Sequence, residues 1–438
     1  MAVKVVKFGG SSLADAGQFQ KVANIIKSCT ERKYVVPSAP GKRFSNDTKV
    51  TDMLYKSYED VQNGVAFAEA FAGIKARFEQ IIAELGLSLS LESEYEAIEK
   101  NYLAACGRDY AASRGEYLNG IILANYLGFP FIDAADVVFF NEQGALDGNR
   151  SYEAVAAMAS KNEYAVIPGF YGRAFDGKIK TFSRGGSDIT GSVVARGVSA
   201  DLYENWTDVS GFLVADPRIV DNPQVIDVVT FRELRELSYM GAGVLHEDAI
   251  FPVRAAGIPI NIKNTNRPDD AGTMILPMRA SAVKSGSITG IAGKKGFSVI
   301  TLEKDMMNQE IGFAKRALSV FENNNISFEH LPSGIDTMGI VVASDAIQNI
   351  EKQMVADIKK AVSPDSIEVI HGLALIAVVG RGMVRSKGLA ARLFTAIANA
   401  GINIRMIDQG SSELNIIIAV DEFDFNAAIN AIYAEFFN

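Results

Sequence analysis

The stretch that decides the fold is Lys4-Val5-Val6-Lys7-Phe8-Gly9-Gly10-Ser11-Ser12, an apolar strand running into a lysine, two glycines and two hydroxyls. Glycine lets backbone N–H groups come close to an anion, and the hydroxyls add donors. A helix starting near Ala14 would aim its N-terminal dipole at the same point. Lys7 supplies a full positive charge. The stretch fits a phosphate-binding turn, although Gly-Gly-Ser is also ordinary turn chemistry, so the decision rests on what the remaining chain carries.

With 438 residues, 48% hydrophobic content and 12 prolines, the chain has enough apolar material for two or three domains. Its formal net charge of -9, with no basic patch to offset it, argues against a nucleic-acid partner. Cys29 and Cys106 are the only cysteines and form no CxxC pair, so they read as buried thiols in a reducing cytosol. His246, His330 and His371 share no metal-ligand spacing, so no resident metal site is expected. No charged-then-apolar leader is present, and runs such as Leu373 to Val379 are too short to cross a bilayer. The expectation is a soluble, cytoplasmic protein with no membrane partner.

Val3 to Lys7, Tyr34 to Pro37, Phe131 to Asp133, Tyr164 to Pro168 and Leu202 to Trp206 read as strands. Asp15 to Ser28 and Glu116 to Leu127 have helical apolar spacing. The alternation predicts an α/β fold with a mostly parallel central sheet. Composition shifts at the turn-rich Arg267 to Gly272, which places the first domain at 1–282.

Past that boundary the chain repeats itself. Gly312 to Gly334 aligns without a gap on Gly388 to Gly410, an offset of 388 − 312 = 76 residues. Each copy reads strand, helix, strand, strand, helix, one ferredoxin-like α+β unit used twice, at 283–371 and 372–438. The second copy has no room for its fourth strand before Asn438, and an unpaired edge needs covering. Ser287 to Ala292, an unassigned strand ahead of the first copy, is therefore expected to pair with the second.

Four clusters add chemistry. Ser113-Arg114-Gly115-Glu116 and Ser183-Arg184-Gly185-Gly186-Ser187-Asp188 each lead into a helical pattern and combine guanidinium, backbone donors and carboxylate, a set suited to a carboxylate substrate. Thr207-Asp208 follows a strand, and Asp216-Pro217-Arg218 comes soon after. In a parallel sheet such loops face one crevice at the carboxyl ends of the strands.

Together these motifs resemble aspartate kinase, of the amino-acid kinase superfamily, over nearly the whole chain. The family's KFGG-[ST]-S is Lys7 to Ser12, its RGGSD is Arg184 to Asp188, and its threonine-aspartate loop ending in ADPR is Thr207 to Arg218. Its KNT is Lys263 to Thr265, and its GAKVLHP is Gly241 to Glu247 in altered form. The repeats look like the family's two ACT domains. The resemblance implies transfer of the γ-phosphoryl of ATP, with Mg²⁺, to the β-carboxylate of L-aspartate, giving 4-phospho-L-aspartate.

By the same resemblance, Lys7 and Asp188 are catalytic, Asp188 orienting Lys7. Arg184 would hold the α-carboxylate and Glu116 the α-ammonium; Thr51 and the Gly185-Gly186-Ser187 turn would complete the substrate site. Lys7, Gly9, Gly10, Ser11, Thr207, Asp208, Leu213 and Arg218 would contact the nucleotide. Gly243 replaces a lysine of the family pattern and Leu213 a common tyrosine.

By resemblance to lysine-sensitive members of the family, Met306, Asn308, Gly312, Phe313, Ser327, Glu329 and Ser333 would form an effector site for lysine in a homodimer or larger assembly. Glu329 aligns with Arg405, since 329 + 76 = 405, so only the first copy offers a carboxylate to a cationic ligand.

Overall fold

The computed structural model describes residues 2–183, 185–241, 247–277, 288–410 and 412–437. Arg184, Gly243, His246, Ser287 and the expected domain boundary lie outside the described residues. The rest divides into two compact units. The first takes the residues up to Phe212 together with Val225–Phe231 and 247–277, and the second takes Leu213–Gln224, 232–241 and 288–437. Two segments ahead of the expected boundary thus cluster with the second unit, so the units interleave in sequence.

The first unit is built on a seven-stranded sheet in the order Ala165–Val166, Arg32–Pro37, Lys4–Phe8, Leu202–Thr207, Ile260–Asn264, Thr273–Leu276, Val228–Thr230. Its pairings are parallel except that Ile260–Asn264 runs against Thr273–Leu276. Lys4–Phe8 is central and buried from Val5 to Phe8 because both its faces are covered. Phe8 stacks on Trp206 of the neighbouring strand, ring centroids 5.9 Å apart. The expected Phe131 to Asp133 strand reduces to a single bridge, Phe131 to Val166, and Tyr164 to Pro168 shrinks to Ala165–Val166.

The helix expected from Glu116 begins earlier, at Arg108, and runs to Leu127. Ser113 to Glu116 therefore lies inside a helix instead of preceding one. The 12 residues from Ala16 to Lys27 form the first helix, capped by the Asp15 side chain on the Gln18 N–H.

The second unit contains a five-stranded antiparallel sheet in the order Thr337–Ala343, Gly290–Glu303, Ser366–Val379, Asn415–Asp421, Met406–Asp408. Its repeat is visible element by element: the helix Phe313–Asn323 maps onto Leu389–Asn399, since 389 − 313 = 76. Gly290 to Lys295 pairs with Ala374 to Val379 of the second copy, as the empty sheet position there requires. The reciprocal exchange also occurs. Ser366 to Ile370, one repeat later by 366 − 290 = 76, pairs with Val299 to Glu303 of the first copy. Each 14-residue strand therefore serves both copies, and the two share one sheet.

Candidate active site

Three neighbouring strands, Lys4–Phe8, Leu202–Thr207 and Ile260–Asn264, end side by side, and the segments leaving them are bonded together. The Gly9 N–H donates to Trp206 O (3.0 Å), and the Thr265 N–H donates to Thr207 O (2.9 Å). Ser12 Oγ and Thr265 Oγ1 are 2.7 Å apart, and Asn264 Nδ2 donates to Asp208 O (3.2 Å). The KFGGSS, Thr-Asp and KNT motifs are thus one surface at the carboxyl ends of the strands. Gly10 and Ser11 sit in the single 3-10 turn Gly10–Leu13.

Glycine is required at this turn by contact. The Gly41 N–H donates to Gly10 O (2.8 Å), and a Cβ on Gly41 would stand 2.6 Å from the Gly10 carbonyl carbon.

Lys7 is almost fully buried. Its Nζ lies 2.7 Å from Asp188 Oδ1 and 3.4 Å from Asn205 Oδ1, while Asn205 Nδ2 donates to Asp188 Oδ1 (2.7 Å). Asn205 escaped sequence reasoning, but its signal was present. Parallel register sets Asn205 directly beside Lys7 on the next strand.

Asp188 lies in the first turn of the helix Gly186–Gly197, whose N-cap Gly185 has φ +58°. That first turn, with Gly186 and Ser187, offers N–H groups unsatisfied within the helix, suited to an anion. Opposite it, a Cβ on Gly186 would stand 2.6 Å from the Phe170 ring, and one on Gly169 2.6 Å from Ser187. Phe170 itself holds φ +78°, a strained value for a bulky residue, fixed by its N–H on Thr190 Oγ1 (3.1 Å) and by the Phe182 N–H on its carbonyl (2.9 Å). Nothing in the sequence marks Phe170, because strain of this kind comes from tertiary contacts.

Glu116 is buried, and its Oε2 has no hydrogen-bond partner. Burial pushes its carboxyl up to about 8 from an ordinary 4.5, against the opposing pull of the Ala39 N–H and the Arg114 charge. The Arg114 guanidinium lies over the Tyr117 and Tyr110 rings at 4.2 and 4.5 Å. Thr51 is half-buried in the first turn of the helix Val50–Gln62. Val50 and Leu54 of that helix meet the helix of Glu116 at Gly115.

Leu213 and Arg218 fall in the second unit, where Arg218 is highly exposed and held by Asp216 at 2.6 Å. Also in the second unit, Tyr239 donates its hydroxyl to Glu329. From the same helix, Phe231–Tyr239, Glu233 accepts the Arg381 N–H (2.9 Å) and Glu236 accepts Asn415 Nδ2 (2.7 Å). That helix therefore touches both repeats.

Of the remaining effector candidates, Met306 is exposed at φ +60° and Gly312 caps the helix after it at φ +81°. The Asn308 N–H donates to Ile335 O, and Ser327 and Ser333 are exposed. The Phe313 side chain instead enters the apolar core of the first repeat, which leaves only its backbone for a ligand.

The cysteines are free and half-buried, where full burial was expected. His330 pairs with Asp408 and His371 with Glu351, as structural histidines do. Among the described residues no helix is long and apolar enough to cross a membrane.

A mostly parallel sheet with a glycine turn, a lysine at the end of its central strand paired with a helix aspartate, and a doubled antiparallel sheet fit a phosphoryl-transferring α/β kinase with a regulatory module. In agreement, residues 2–264 match the amino acid kinase family and residues 376–436 match the ACT domain. The chain is 39% identical to aspartokinase 3 of Bacillus subtilis, with 99% of each chain covered. The crystal structure of Clostridium acetobutylicum aspartate kinase superposes with a TM-score of 0.90 at 52% identity, covering 100% of both chains. Escherichia coli aspartokinase III, at 23% identity, shares the fold with TM-scores of 0.74 in its complex with aspartate and ADP and 0.73 in its complex with lysine and aspartate, again over 100% of both chains. The chain belongs to the aspartokinase family.

The buried Glu116 carboxyl has a consequence for the ligand-free protein. Below pH 4.5 it is protonated both folded and unfolded, and no penalty arises. As pH rises from 4.5 toward 8 the unfolded chain releases the proton first, so folding loses stability, and the loss is complete above 8. Glu116→Gln should therefore stabilise the free protein by a margin that grows from near zero at pH 4.5 to a few kcal/mol above pH 8. Each tenfold change in the carboxylate's proton affinity contributes about 1.4 kcal/mol to that margin. Urea midpoints at pH 5 and 8.5 check it; an equal gain at both contradicts it.

Proposed function

We propose that this aspartokinase transfers the γ-phosphoryl group of ATP to the β-carboxylate of L-aspartate, giving 4-phospho-L-aspartate, the first step of lysine, threonine and methionine biosynthesis. The observation that carries the reading is the pairing of buried Lys7 with Asp188 beside the glycine turn. A side-chain carboxylate has a pKa of about 3.9 and is ionised at neutral pH, so the acceptor needs no general base. Catalysis then reduces to positioning and to neutralising charge on the transferring group.

Lys7, fixed by Asp188 and Asn205, meets the phosphate charge, and Mg²⁺ arrives with ATP as part of that substrate. Gly9, Gly10 and Ser11 cradle the phosphates, and Thr207 and Asp208 hold the nucleoside. Glu116, with one oxygen unpartnered, takes the α-ammonium of aspartate, which repays the cost of burying its charge. Arg184 takes the α-carboxylate, and Thr51 with the Gly185 to Ser187 turn completes the clamp.

Lys7→Ala and Asp188→Ala should each lower aspartate-dependent ADP release by about a hundredfold or more while leaving the fold intact. Near-wild-type turnover in either purified variant refutes the assignment. Substituting glutamate or N-acetylglutamate for aspartate separates this reading from that of another carboxylate kinase.

The second unit is proposed to bind lysine as a feedback inhibitor, in a homodimer or larger assembly, with Glu329 facing the effector's ammonium. The carboxylate already bonded by Tyr239 is the group such a cation would engage. Lysine inhibits only by binding the low-activity state more tightly than the active one. Millimolar lysine should therefore reduce activity, and Glu329→Ala should raise the half-inhibitory concentration at least about tenfold. Inhibition by threonine but not lysine, or unchanged lysine sensitivity in Glu329→Ala, contradicts the effector assignment.

A further inference from the structure

The helix Phe67–Glu84 buries Phe67, Phe71, Ile74, Phe78 and Ile81 along one face, and Arg77 sits on that same face. It is 4% exposed, a position where apolar side chains belong. Burying a guanidinium is costly, and its Nε has no hydrogen-bond partner. Its other nitrogens account for the cost. Nη2 donates to Gly41 O (2.6 Å) and Ala14 O (3.1 Å), and Nη1 donates to Asp47 Oδ2 (2.8 Å).

These three acceptors bracket the glycine turn. Gly41 is bonded to Gly10 through its own N–H, and Ala14 closes the short turn Gly10–Leu13 at its far end. Asp47 also takes Arg43, from Nε (2.8 Å), Nη2 (3.1 Å) and the backbone N–H (3.0 Å). The two guanidiniums hold the Asp47 carboxyl well below the usual carboxylate range, so the ion pairs persist at working pH. The segment 42–47, which runs on into the helix of Thr51, is thereby tied down at its far end. The Arg43 guanidinium is thereby committed to Asp47.

We propose that Arg77 is a positioning residue for phosphoryl transfer, holding the phosphate-binding turn through Gly41 and Ala14 and the Thr51 approach loop through Asp47. It touches neither substrate. Its guanidinium instead fixes two segments that do, one on the nucleotide side and one on the aspartate side. A residue with five donors in a planar fork suits this task, and lysine could not reproduce it. The proposal rests on the kinase reading given above.

The test uses the full chain with Arg77→Met and Asp47→Ala, measured by kinetics and by limited trypsin digestion. Arg77→Met loosens the turn and the loop together, and kcat should fall by about tenfold to a hundredfold, the cost of a misplacement near 1 Å. Asp47→Ala loosens the loop alone, and the KM for aspartate should rise about tenfold with the KM for ATP changed less than about threefold. Trypsin should cut after Lys42 or Arg43 at least about tenfold faster in both variants, since cleavage follows local opening.

Folded variants with kinetics and cleavage within about twofold of wild type overturn the proposal, and so does a loss of activity that merely tracks the loss of folded protein. If Arg77→Met does not fold, Asp47→Ala decides alone by its aspartate KM and its cleavage rate. A wild-type protein that releases no ADP with aspartate overturns the kinase reading, and the trypsin arm still tests the clamp.

Discussion

The structure depends on one electrostatic arrangement, a lysine drawn out of water at the end of a central strand and held by an aspartate at the start of a helix. Lys7 comes from the strand Lys4–Phe8, Asp188 from the helix Gly186–Gly197, and Asn205 from the adjacent strand completes the triangle. Asn205 bonds to both charged partners, and Asp188 keeps the buried ammonium of Lys7 paired. The order of the parallel strands, the glycine at 185 and the close approach of Gly169 to Ser187 all serve to bring the three together.

A second constraint acts at Glu116. Glu116 is held in an apolar helix interior by the packing of Gly115 against Ala39, Val50 and Leu54. Its unpartnered oxygen makes the free site electrostatically incomplete. Strain at Phe170 and the buried guanidinium of Arg77 are further local costs in the same unit. Costs of this kind gather where a protein trades stability for a prearranged site. The regulatory sheet is organised differently. There a repeated unit closes its edges by lending each 14-residue strand to the other copy, and the helix Phe231–Tyr239 bonds to both.

Much of this was legible in the sequence. The strand-to-glycine transition at Lys7 to Ser12, the strands beside it and the 76-residue repeat followed from periodicity and turn chemistry, and so did the strand that completes the second repeat, 388 − 312 = 76. What escaped was tertiary. The helix start at Arg108 was missed because a run holding Arg114, Gly115 and Glu116 reads as polar loop, yet all three are buried. Arg77 escaped because a cation at a core position looks like a solvated face until its three acceptors are seen. Leu213–Gln224 clusters with the second unit through long-range contacts that composition does not encode.

We infer that aspartate completes the charge arrangement left open at Glu116. Calorimetric titration of the protein with aspartate at pH 7, in buffers of different ionisation enthalpy, tests this. With its carboxyl raised to about 8, Glu116 is mostly protonated in the free protein and must ionise to meet the ammonium. About one proton should be released per aspartate bound, and this release should be lost in Glu116→Gln. Binding enthalpies that do not depend on the buffer would contradict it.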